Sequence, residues 1–538
     1  MKYFNKIVPA AAFALALGMS SCTGDLDVTP INPNLALEYS PEGLFNKCYA
    51  NIALAGNSGA DGDCDIDGLD GGTTGFVRQM WNSNELTTDE AICSWGDDGI
   101  SQFCYNSYDS SHPMLNGYFN RLTTGISYCN QYLTVASDHD ATMTAEVRFL
   151  RAFHYYLLMD AFGNIPFSTT LGNPVRMTRQ EAYDWIESEL LEIEPSLAEA
   201  KAKKSTDANY GRVDKAAAWV LLMRLYLNAE VYTGTAQWQK AAEYAKKVMD
   251  SDYRLNTKGV NGWTPYQMLF MGDNGETDAA YEAVFPILCD GRTTTSYGTS
   301  LYVMASTFDG DMHANPFDVD AESRATNGTD ANWGGNRARL ELIKQFFPNN
   351  DAPQVAAYDM KEAAGDDRAL FDGIGRQVDN PTGYAGVFKD GYAVAKFVNF
   401  KTDGSSGHDA KFPDTDFFMF RVAEAYLTYA EATARLSGNS TTAEGTAAIN
   451  ALRARANNGD TKTVYSLGNI LDEWQKEFYF EGRRRVDLIR FGKFGGNSDY
   501  QWSWKGGVKN GRNFEATKNI FAIPASAVDE VLIQNPGY

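Results

Sequence analysis

The N-terminal segment of this chain decides where the rest of it has to fold. Lys2 and Lys6 form a short basic start, and residues 7–18 form an apolar run that only a proline interrupts. Two serines then directly precede Cys22. This order is that of a secretory signal, and the run is too short to remain in a membrane as a spanning helix. The body of the chain is therefore expected to fold outside the cytoplasm.

The segment around Cys22 resembles the signal of bacterial lipoproteins, which is cut directly before a cysteine. Met19 is a departure, since leucine is commoner at that place. The resemblance implies that residues 1–21 are removed and that Cys22 becomes the lipid-carrying first residue. Residues 22–34 then form an acidic tether. We expect a protein held in the outer membrane by its lipid and, because acidic residues closely follow Cys22, exposed at the cell surface.

Charge narrows the ligands that the exported body can bind. The chain of 538 residues carries a formal net charge of −22, so its surface repels nucleic acid and polyanionic sugars and favours neutral ligands. Aromatic residues make up 13% of the chain, which is high for a plain helical protein. No second apolar run reaches the roughly 18 residues of a membrane-spanning helix, so none is predicted after the signal.

The cysteines do not form a metal-binding pattern. No two of them are spaced as Cys-x-x-Cys, so a zinc site is not expected. An exported location permits disulfides, but the spacing does not determine any pairing. Besides Cys22, the cysteines are Cys48, Cys64, Cys93, Cys104, Cys129 and Cys289.

Residues 56–75 form a loop rich in aspartate and glycine. Its Asp-x-Asp-x-Asp-Gly stretch, from Asp63 to Gly68, matches the opening of an EF-hand calcium loop. The twelfth position needs glutamate but holds Thr74, which excludes an EF-hand. An acidic solvated loop is the favoured interpretation, and calcium held together with other carboxylates stays open. No other cofactor is expected.

Apolar residues recur with a helical period along much of the chain. Thr144 is the expected N-cap of one such helix, and Gly163 its expected end. Trp219, Leu222 and Tyr226 are spaced as in the first helix of a tetratricopeptide unit. The predicted helices are 41–56, 113–135, 144–162, 178–202, 213–232, 236–251, 337–347, 417–437, 441–457 and 469–491.

The segments between these helices are of two kinds. Residues 76–110 are aromatic and polar without a clear period, which predicts a long ordered loop of functional importance. Residues 256–335 and 350–415 are mixed, with strand-like runs at 283–288 and 392–400. The fold class expected from these patterns is mainly α, with loops and small sheets set on a helical frame.

Charged residues recur within the last helices at helical spacings. Arg421, Glu424, Glu431 and Arg435 are expected along one stripe, and Glu481 is expected to pair with Arg485 across one turn. Arg483 and Asp487 repeat that spacing. Charges within an apolar stripe must satisfy each other if they are buried. We interpret them as structural locks between helices and not as an active site.

Four long stretches of the chain, which follow each other in the order typical of the family, resemble the SusD/RagB family of outer-membrane glycan-binding lipoproteins. The lipoprotein start and the ending QNPGY also fit, so the similarity covers the mature chain. It is most similar to the starch-binding member, through residues 82–90 (NSNELTTDE), the 211–234 block and residues 504–507 (WKGG). The stretches are 145–167, 211–234, 412–432 and 472–492.

The resemblance implies a superhelix of four tetratricopeptide-like helix pairs, with long loops and small β-sheets packed on one side to carry the ligand site. It divides the body into an N-terminal helical region, 35–255, with a ligand loop at 56–110, and a C-terminal region, 256–538. That region is expected to be loop-rich at 256–415 and helical at 416–492, before a tail. A partner is implied as well, a SusC-like TonB-dependent transporter that the protein covers as a lid. No catalysis is implied.

A neutral glucan needs flat aromatic rings set at an angle, together with a few donors and acceptors. The resemblance implies that Trp95 and Trp333 stack on glucose rings and that Tyr297 completes this arc of aromatic side chains. Arg78 and Asp98 hydrogen-bond sugar hydroxyls. These five residues are carried over one by one from the starch-binding member and form the predicted site.

Two positions depart from the starch-binding member. It has a second tryptophan where this chain has Cys93, and an asparagine where this chain has Asp98. The stacking arc is therefore expected to be smaller. Of the two tryptophans on the 76–110 segment, Trp95 is expected at the surface and Trp81 in the core.

Three classes of function are compatible with an exported body of this kind. The first is a non-catalytic surface protein that binds starch, another α-glucan or a different neutral glycan. The second is a secreted glycoside hydrolase with two carboxylates, although no His-Glu-x-x-His, Gly-x-Ser-x-Gly or P-loop motif is present. The third is a helical-repeat adaptor that binds only protein. The linkage and length of the glycan do not follow from the residues.

Overall fold

The computed structural model describes residues 40–56, 59–60, 64–312, 314–317 and 326–538. The predicted signal segment, Cys22 and the acidic tether lie outside these residues, and so does Asp63 of the Asp/Gly-rich loop. Leu44–Tyr538 forms one unit.

Helices make up most of the regular structure in the described residues. The predicted helix at 113–135 is confirmed at both ends. In chain order the helices are α1 (Pro41–Ala53), α2 (Gly71–Thr74), α3 (Phe76–Trp81), α4 (Ile100–Cys104), α5 (Pro113–Val135), α6 (Ala141–Phe162), α7 (Arg179–Ile193), α8 (Lys215–Leu227), α9 (Ala229–Thr233), α10 (Trp238–Met249), α11 (Ser300–Ala305), α12 (Leu340–Phe346), α13 (Ala357–Ala364), α14 (Ala423–Leu436), α15 (Ala443–Arg455), α16 (Leu467–Phe478) and α17 (Arg484–Arg490).

Helix α6 begins at an aspartate cap. The Asp140 carboxylate accepts a hydrogen bond from the main-chain N–H of Met143 at 2.7 Å, which satisfies a donor that the helix itself leaves free. The prediction that Thr144 caps this helix is therefore wrong, and the Thr144 hydroxyl donates to the Ser137 carbonyl instead. Gly163, with a φ of 71°, ends the helix as predicted.

Other predicted helices are shorter than their apolar pattern suggested. The helix predicted at 178–202 ends at Ile193, because Pro195 cannot donate the next helical hydrogen bond. The helix predicted at 213–232 breaks at Asn228 into α8 and α9. Amphipathic periodicity thus locates a helix more reliably than it locates its end.

Neighbouring helices pack side by side in pairs. Helix α5 packs against α6, α6 against α7, and α8 against α10. In the C-terminal half, α14 packs against α10, α15 and α16. On α8, Leu222 and Tyr226 are buried and Trp219 is half-buried, as the tetratricopeptide spacing predicts. The mainly helical fold of tetratricopeptide-like pairs is confirmed.

The described residues contain four antiparallel sheets of two strands each. The strand predicted at 283–288 is confirmed as β4, whereas only two residues of 392–400 form a strand. The pairs are β1 (Ala91–Cys93) with β5 (Asn336–Ala338), β2 (Ile165–Phe167) with β3 (Val175–Met177), β4 (Ala283–Ile287) with β8 (Phe417–Arg421), and β6 (Phe371–Asp372) with β7 (Ala393–Val394).

The helix predicted at 417–437 begins with a strand. Residues 417–421 form β8, which pairs with β4, and α14 starts only at Ala423. Arg421 therefore lies at the end of a strand, so its expected place on a helical stripe with Glu424 is wrong. Phenylalanine favours strands, and the pairing partner is too far away in sequence for a local period to reveal it.

The helix predicted at 469–491 is two helices. Helix α16 ends at Phe478 and α17 begins at Arg484, with Phe480 between them at a φ of 63°. Glu481 lies in this break, so it does not share a helix face with Arg485, and that predicted pair is wrong. The pair of Arg483 and Asp487 is confirmed at 3.0 Å.

Buried ion pairs join the C-terminal helices to the sheets. The Arg421 guanidinium contacts Glu282 at 3.0 Å and both Glu477 and Glu481 at 2.7 Å, and all four side chains are buried. Burial opposes ionisation of Glu477, but Arg455, Arg421 and Arg368 outweigh it and lower the pKa of Glu477 to about 2. The prediction that these charges are structural locks is confirmed.

Residues 76–110 do not form the predicted long loop. They contain α3, a π-helical turn at Asn82–Leu86, strand β1 and α4, and residues 79–93 are buried throughout. The polar side chains that suggested a loop are satisfied inside the protein. Asp89, for example, accepts two hydrogen bonds from Arg484, at 2.9 and 2.8 Å. Within this segment the exposed residues are 96–98, in the turn after β1, and Ser107 and Asp109 after α4.

Within the described ranges, none of the helices has both the length and the apolar character needed to cross a membrane.

Candidate ligand-binding site

Strand pairing between β1 and β5 brings Trp95 and Trp333 together. Cys93 stands opposite Asn336, so Trp95 follows one strand just as Trp333 precedes the other. The Ser94 N–H donates to the Gly335 carbonyl at 3.1 Å and extends the pairing by one step. The Trp95 and Trp333 ring centroids are 6.5 Å apart, with their planes inclined by 56°.

The Trp333 segment is held by the C-terminal end of α11. The main-chain N–H of Trp333 donates to the Ala305 carbonyl at 2.8 Å, and the N–H groups of Gly334 and Gly335 donate to carbonyls just beyond the helix, also at 2.8 Å. The Ala305 carbonyl is one of the acceptors that the helix end leaves free. Main-chain hydrogen bonds therefore hold the Trp333 segment in place, in addition to the packing of its ring.

Tyr297 lies beside Trp333 on a turn organised by Asp290. The Asp290 carboxylate accepts from the N–H groups of residues 292–294 at 3.0, 2.8 and 2.8 Å. Burial opposes its ionisation, but these bonds and the Thr293 hydroxyl hold the pKa of Asp290 below its usual range. The Tyr297 ring centroid is 6.2 Å from that of Trp333, with an interplanar angle of 42°.

Arg78 joins the N-terminal part of the chain to this surface. Its main-chain N–H donates to the Gly298 carbonyl at 3.0 Å, next to Tyr297. Its guanidinium carbon lies 5.0 Å from the ring centroid of Tyr302, which in turn lies 6.1 Å from the Trp95 ring. The Nε atom is buried and has no hydrogen-bond partner among the described residues. The Nε atom is thus enclosed, and only the terminal nitrogens of this half-buried side chain can meet a ligand beside the aromatic rings.

Asp98 shares a turn with Trp95 and is exposed. No hydrogen bond or ion pair joins its side chain to another described residue. Of the five predicted site residues, the structure brings Trp95, Trp333 and Tyr297 into one ring cluster with Arg78 next to it. Asp98 is placed near Trp95 by sequence proximity alone.

Buried residues support the cluster from below. Tyr302 and Trp81 are fully buried, with their rings 5.8 Å apart, so the prediction that Trp81 belongs to the core is confirmed. The Tyr302 hydroxyl hydrogen-bonds to Asn82 and Asn336, so it is not available to a ligand. Cys93 is fully buried too, so this position presents nothing to the surface.

Phe412 is a member of the cluster that the sequence analysis missed. Its ring centroid is 5.4 Å from that of Tyr297, and it packs with Tyr297 and Trp333 over Leu301. Lys411 lies next to it, with its Nζ atom 6.0 Å from the Tyr297 ring centroid. The available signal was a lone aromatic residue in a segment otherwise rich in glycine, serine and aspartate.

The described part of the Asp/Gly-rich loop is tied to the helices by ion pairs. Asp65 contacts Lys47 at 3.0 Å and Arg121 at 2.8 Å, and it accepts from the Tyr128 hydroxyl at 3.0 Å. Among the described residues, no group of three or more histidine, cysteine or acidic side chains could hold a metal ion. The six cysteines from Cys48 onward are free thiols.

The arrangement suits the binding of a flat, uncharged molecule with polar edges. Trp95, Trp333 and Tyr297 are half-buried and inclined to each other, so a ligand with apolar faces can rest against several rings at once. Arg78 and Asp98 add a donor and an acceptor beside these rings. A helical-repeat scaffold with such a site defines a class of carbohydrate-binding proteins.

Comparisons with known proteins give the same class. Residues 304–538 match the model of the SusD family, and residues 74–227 match a model described as "Starch-binding associating with outer membrane". The chain is 38% identical to the starch-binding protein SusD of Bacteroides thetaiotaomicron, over 100% of this chain and 99% of that protein. The chain belongs to the SusD family.

Solved structures of low sequence identity share the fold. A laminarin-binding SusD-like protein is 21% identical, with a TM-score of 0.64 over 93% of this chain and 99% of that one. Surface glycan-binding protein A from Bacteroides thetaiotaomicron, in complex with laminarihexaose, is 18% identical, with a TM-score of 0.63 over 92% and 98% of the two chains. The SusD family consists of carbohydrate-binding proteins and not of enzymes, so the prediction of a non-enzyme is confirmed by family membership.

Proposed function

We propose that this protein binds starch or another α-glucan at the cell surface, without cleaving it. The observation that carries the proposal is the convergence of Trp95, Trp333 and Tyr297 on one half-buried surface. Glucose rings have apolar C–H faces that release water when they rest on aromatic rings. The 38% identity to a starch-binding protein over the whole chain supports an α-glucan over other neutral glycans.

The polar residues of the site have separate roles in this proposal. Arg78 donates hydrogen bonds to sugar hydroxyls through its terminal guanidinium nitrogens, because the side chain is only half-buried whereas its Nε atom is enclosed. Asp98 accepts hydrogen bonds from hydroxyls at the exposed edge. Because Cys93 is fully buried, it adds nothing to stacking, which depends on Trp95, Trp333 and Tyr297 with Phe412 beside them.

Two further parts of the proposal concern location and partner. Lipid attached to Cys22 anchors the chain in the outer membrane, as the order of basic, apolar and small residues before it supports. The bound glycan is passed to a SusC-like TonB-dependent transporter, which the protein covers as a lid. The partner is proposed from family membership alone, and co-purification of the full-length protein with a TonB-dependent transporter from its own membrane tests it.

Affinity electrophoresis tests glycan binding directly. The protein is run in native gels with and without amylopectin, and we expect strong retardation only in amylopectin. Trp95→Ala should weaken the interaction by about tenfold or more, since it removes a central ring. Trp238→Ala is the matched control, because Trp238 is also half-buried but lies on α10.

Two results would count against the proposal. Equal mobility of the unaltered protein with and without amylopectin would remove α-glucan binding. Equal retardation of Trp95→Ala and the unaltered protein would refute the proposed site but not the binding of α-glucan. Incubation with maltooligosaccharides adds a separate check, since any shortened product would contradict binding without cleavage.

A further inference from the structure

A second aromatic cluster lies apart from the candidate site, and the proposed function does not use it. It consists of Tyr105, Tyr384 and Trp504, which come from three distant segments of the chain. The ring centroid of Tyr105 is 6.0 Å from that of Tyr384 and 5.9 Å from that of Trp504. All three are half-buried, in the same exposure class as Trp95.

The cluster is built in the same way as the candidate site. The Trp504 indole N–H donates to the Asn380 carbonyl at 2.5 Å, just as Trp95 donates to a main-chain carbonyl. The Tyr105 hydroxyl accepts from the N–H of Tyr384 at 3.1 Å. These bonds fix the polar ends of two rings. The Tyr384 hydroxyl makes no hydrogen bond to any described residue, so it is available to a ligand.

The main chain at Trp504 has an unfavourable conformation, which places the indole in this cluster. Trp504 has a φ of 67°, in the left-handed region that is unfavourable for a residue other than glycine. Gly383 stands directly against the indole, and a Cβ atom there would lie 2.7 Å from it. The position of the indole therefore depends on an unfavourable main-chain conformation at Trp504 and on a glycine at position 383. The strain brings the indole to a half-buried position beside Tyr105.

One buried arginine connects the two clusters. The Arg337 Nη2 atom donates to the Gly383 carbonyl at 2.8 Å, beneath Trp504. Its Nη1 atom donates to the Gly335 carbonyl at 3.4 Å, beneath Trp95. A single guanidinium thus contacts the main chain that supports each cluster.

We propose that Tyr105, Tyr384 and Trp504 form a second binding surface for the same neutral glycan, one that a longer chain engages in addition to the first. The inference rests on the proposed function, because it takes the ligand class from it. Flat rings at angles of 35° and 84° offer faces for sugar C–H groups, and the Tyr384 hydroxyl offers a polar contact at the edge. Two modest surfaces on one protein raise the apparent affinity for a polymer that reaches both.

Variants of the cluster give the first test. Trp504→Gly removes the indole while keeping the left-handed main chain without strain, and Tyr384→Ala removes a half-buried ring. Each should weaken retardation in amylopectin by between about twofold and tenfold. Val508→Ala is the control, because Val508 is exposed on the same loop but carries no ring. Unchanged retardation of both folded cluster variants would overturn the inference.

Hydrogen exchange with maltoheptaose separates this inference from the proposed function and does not depend on folding of the cluster variants. We expect slower exchange at residues 94–98 and 295–298, and also at 380–386 and 502–509. In Trp95→Ala, the protection at 380–386 and 502–509 should persist. Protection confined to the first two segments, or its loss everywhere in Trp95→Ala, would overturn the second surface and leave the proposed function intact. No protection anywhere in the unaltered protein would refute both.

Discussion

The indole N–H of Trp95 donates a hydrogen bond to the main-chain carbonyl of Trp333, 3.3 Å away, across 238 residues of sequence. The bond uses the only polar atom of the Trp95 indole, and both rings stay half-buried, with part of each open to a ligand. It also ties the Trp95 ring to the main chain of Trp333, which lies on a separate loop. A surface arranged in this way before a ligand arrives loses little side-chain entropy on binding.

Gly335 lies so close to Trp95 that one added methyl group at position 335 is expected to weaken glycan binding. A Cβ atom on Gly335 would lie 2.2 Å from Cε2 of the indole, so Gly335→Ala must displace the ring. We expect amylopectin affinity to fall about as far as in Trp95→Ala, although no aromatic atom is lost. Gly96→Ala is the matched control, since a Cβ atom there meets nothing within 4 Å. Affinity electrophoresis measures all three variants, and full affinity in Gly335→Ala would contradict the role given to the Trp95 position.

Arg78 predicts a loss of binding without a loss of folding. Arg78→Met keeps much of the side-chain length but removes the guanidinium whose Nε atom has no partner among the described residues. We expect affinity for maltoheptaose to fall by about threefold to tenfold, as for the loss of a hydrogen bond to an uncharged group. Calorimetric titration measures the affinity, and the thermal midpoint should change little. A large drop in the midpoint with unchanged affinity would assign Arg78 to stability instead.

Replacement of Arg421 is expected to lower the free energy of unfolding by a large amount. Arg421→Met leaves Glu282, Glu477 and Glu481 buried with one less cation, which costs about 3–5 kcal/mol in comparable buried networks. Urea denaturation should show the loss, with amylopectin binding preserved in the protein that remains folded. Lys389→Met is the control, since Lys389 pairs with Asp311 at the surface and should cost within about 0.5 kcal/mol. Equal stability of the two variants would contradict the lock.

Asp416 predicts a fall in stability as pH rises. Burial raises the pKa of its carboxyl from 3.8 to about 7, although the Cys289 N–H and the Tyr210 hydroxyl donate hydrogen bonds to it at 2.9 and 2.7 Å. The folded state thus holds a proton that the unfolded state releases near pH 4. This proton stabilises the folded state fully below pH 3.8, and the stabilisation is lost as pH rises through about 7. The free energy of unfolding falls by about 4 kcal/mol in total over this range.

Asp416→Asn should remove this pH dependence. The variant is expected to be more stable than the unaltered protein at pH 8, by a margin that narrows at pH 5, in urea denaturation at both values. Asp403→Asn serves as the comparison, because its carboxylate is exposed and it lies on a surface loop. A difference between Asp416→Asn and the unaltered protein that stays the same at both pH values would contradict the assignment.

Replacement of Cys22 tests whether the mature N-terminus carries lipid. In cells fed radioactive palmitate, the unaltered precursor should incorporate label and sediment with membranes, because lipid attached to Cys22 anchors it. Cys22→Ala should carry no label and leave the membrane fraction. Cys64→Ala should behave like the unaltered protein, since Cys64 belongs to the folded body. Label retained in Cys22→Ala would show that the anchor lies elsewhere.

Features that depend on near neighbours in sequence could be predicted from the residues. The helix at Pro113–Val135 and the glycine that ends α6 follow from a repeat of 3.6 residues and from the backbone freedom of glycine. The long motifs in their order likewise pointed to the family and its fold. Three rings of the candidate site, named from that resemblance, lie in one cluster.

Features that depend on contacts between distant segments came only from the folded protein. Strand β8 forms because β4 offers it a partner, and the 76–110 segment is buried because Arg484 and the Phe480 turn satisfy its polar groups. Phe412 joins the site for the same reason, since packing over Leu301 places it beside Tyr297. A strand or a buried polar group is stabilised by a partner that local periodicity does not contain. Helices could therefore be read along the chain, whereas the inclined rings of the binding surface required the chain to be folded.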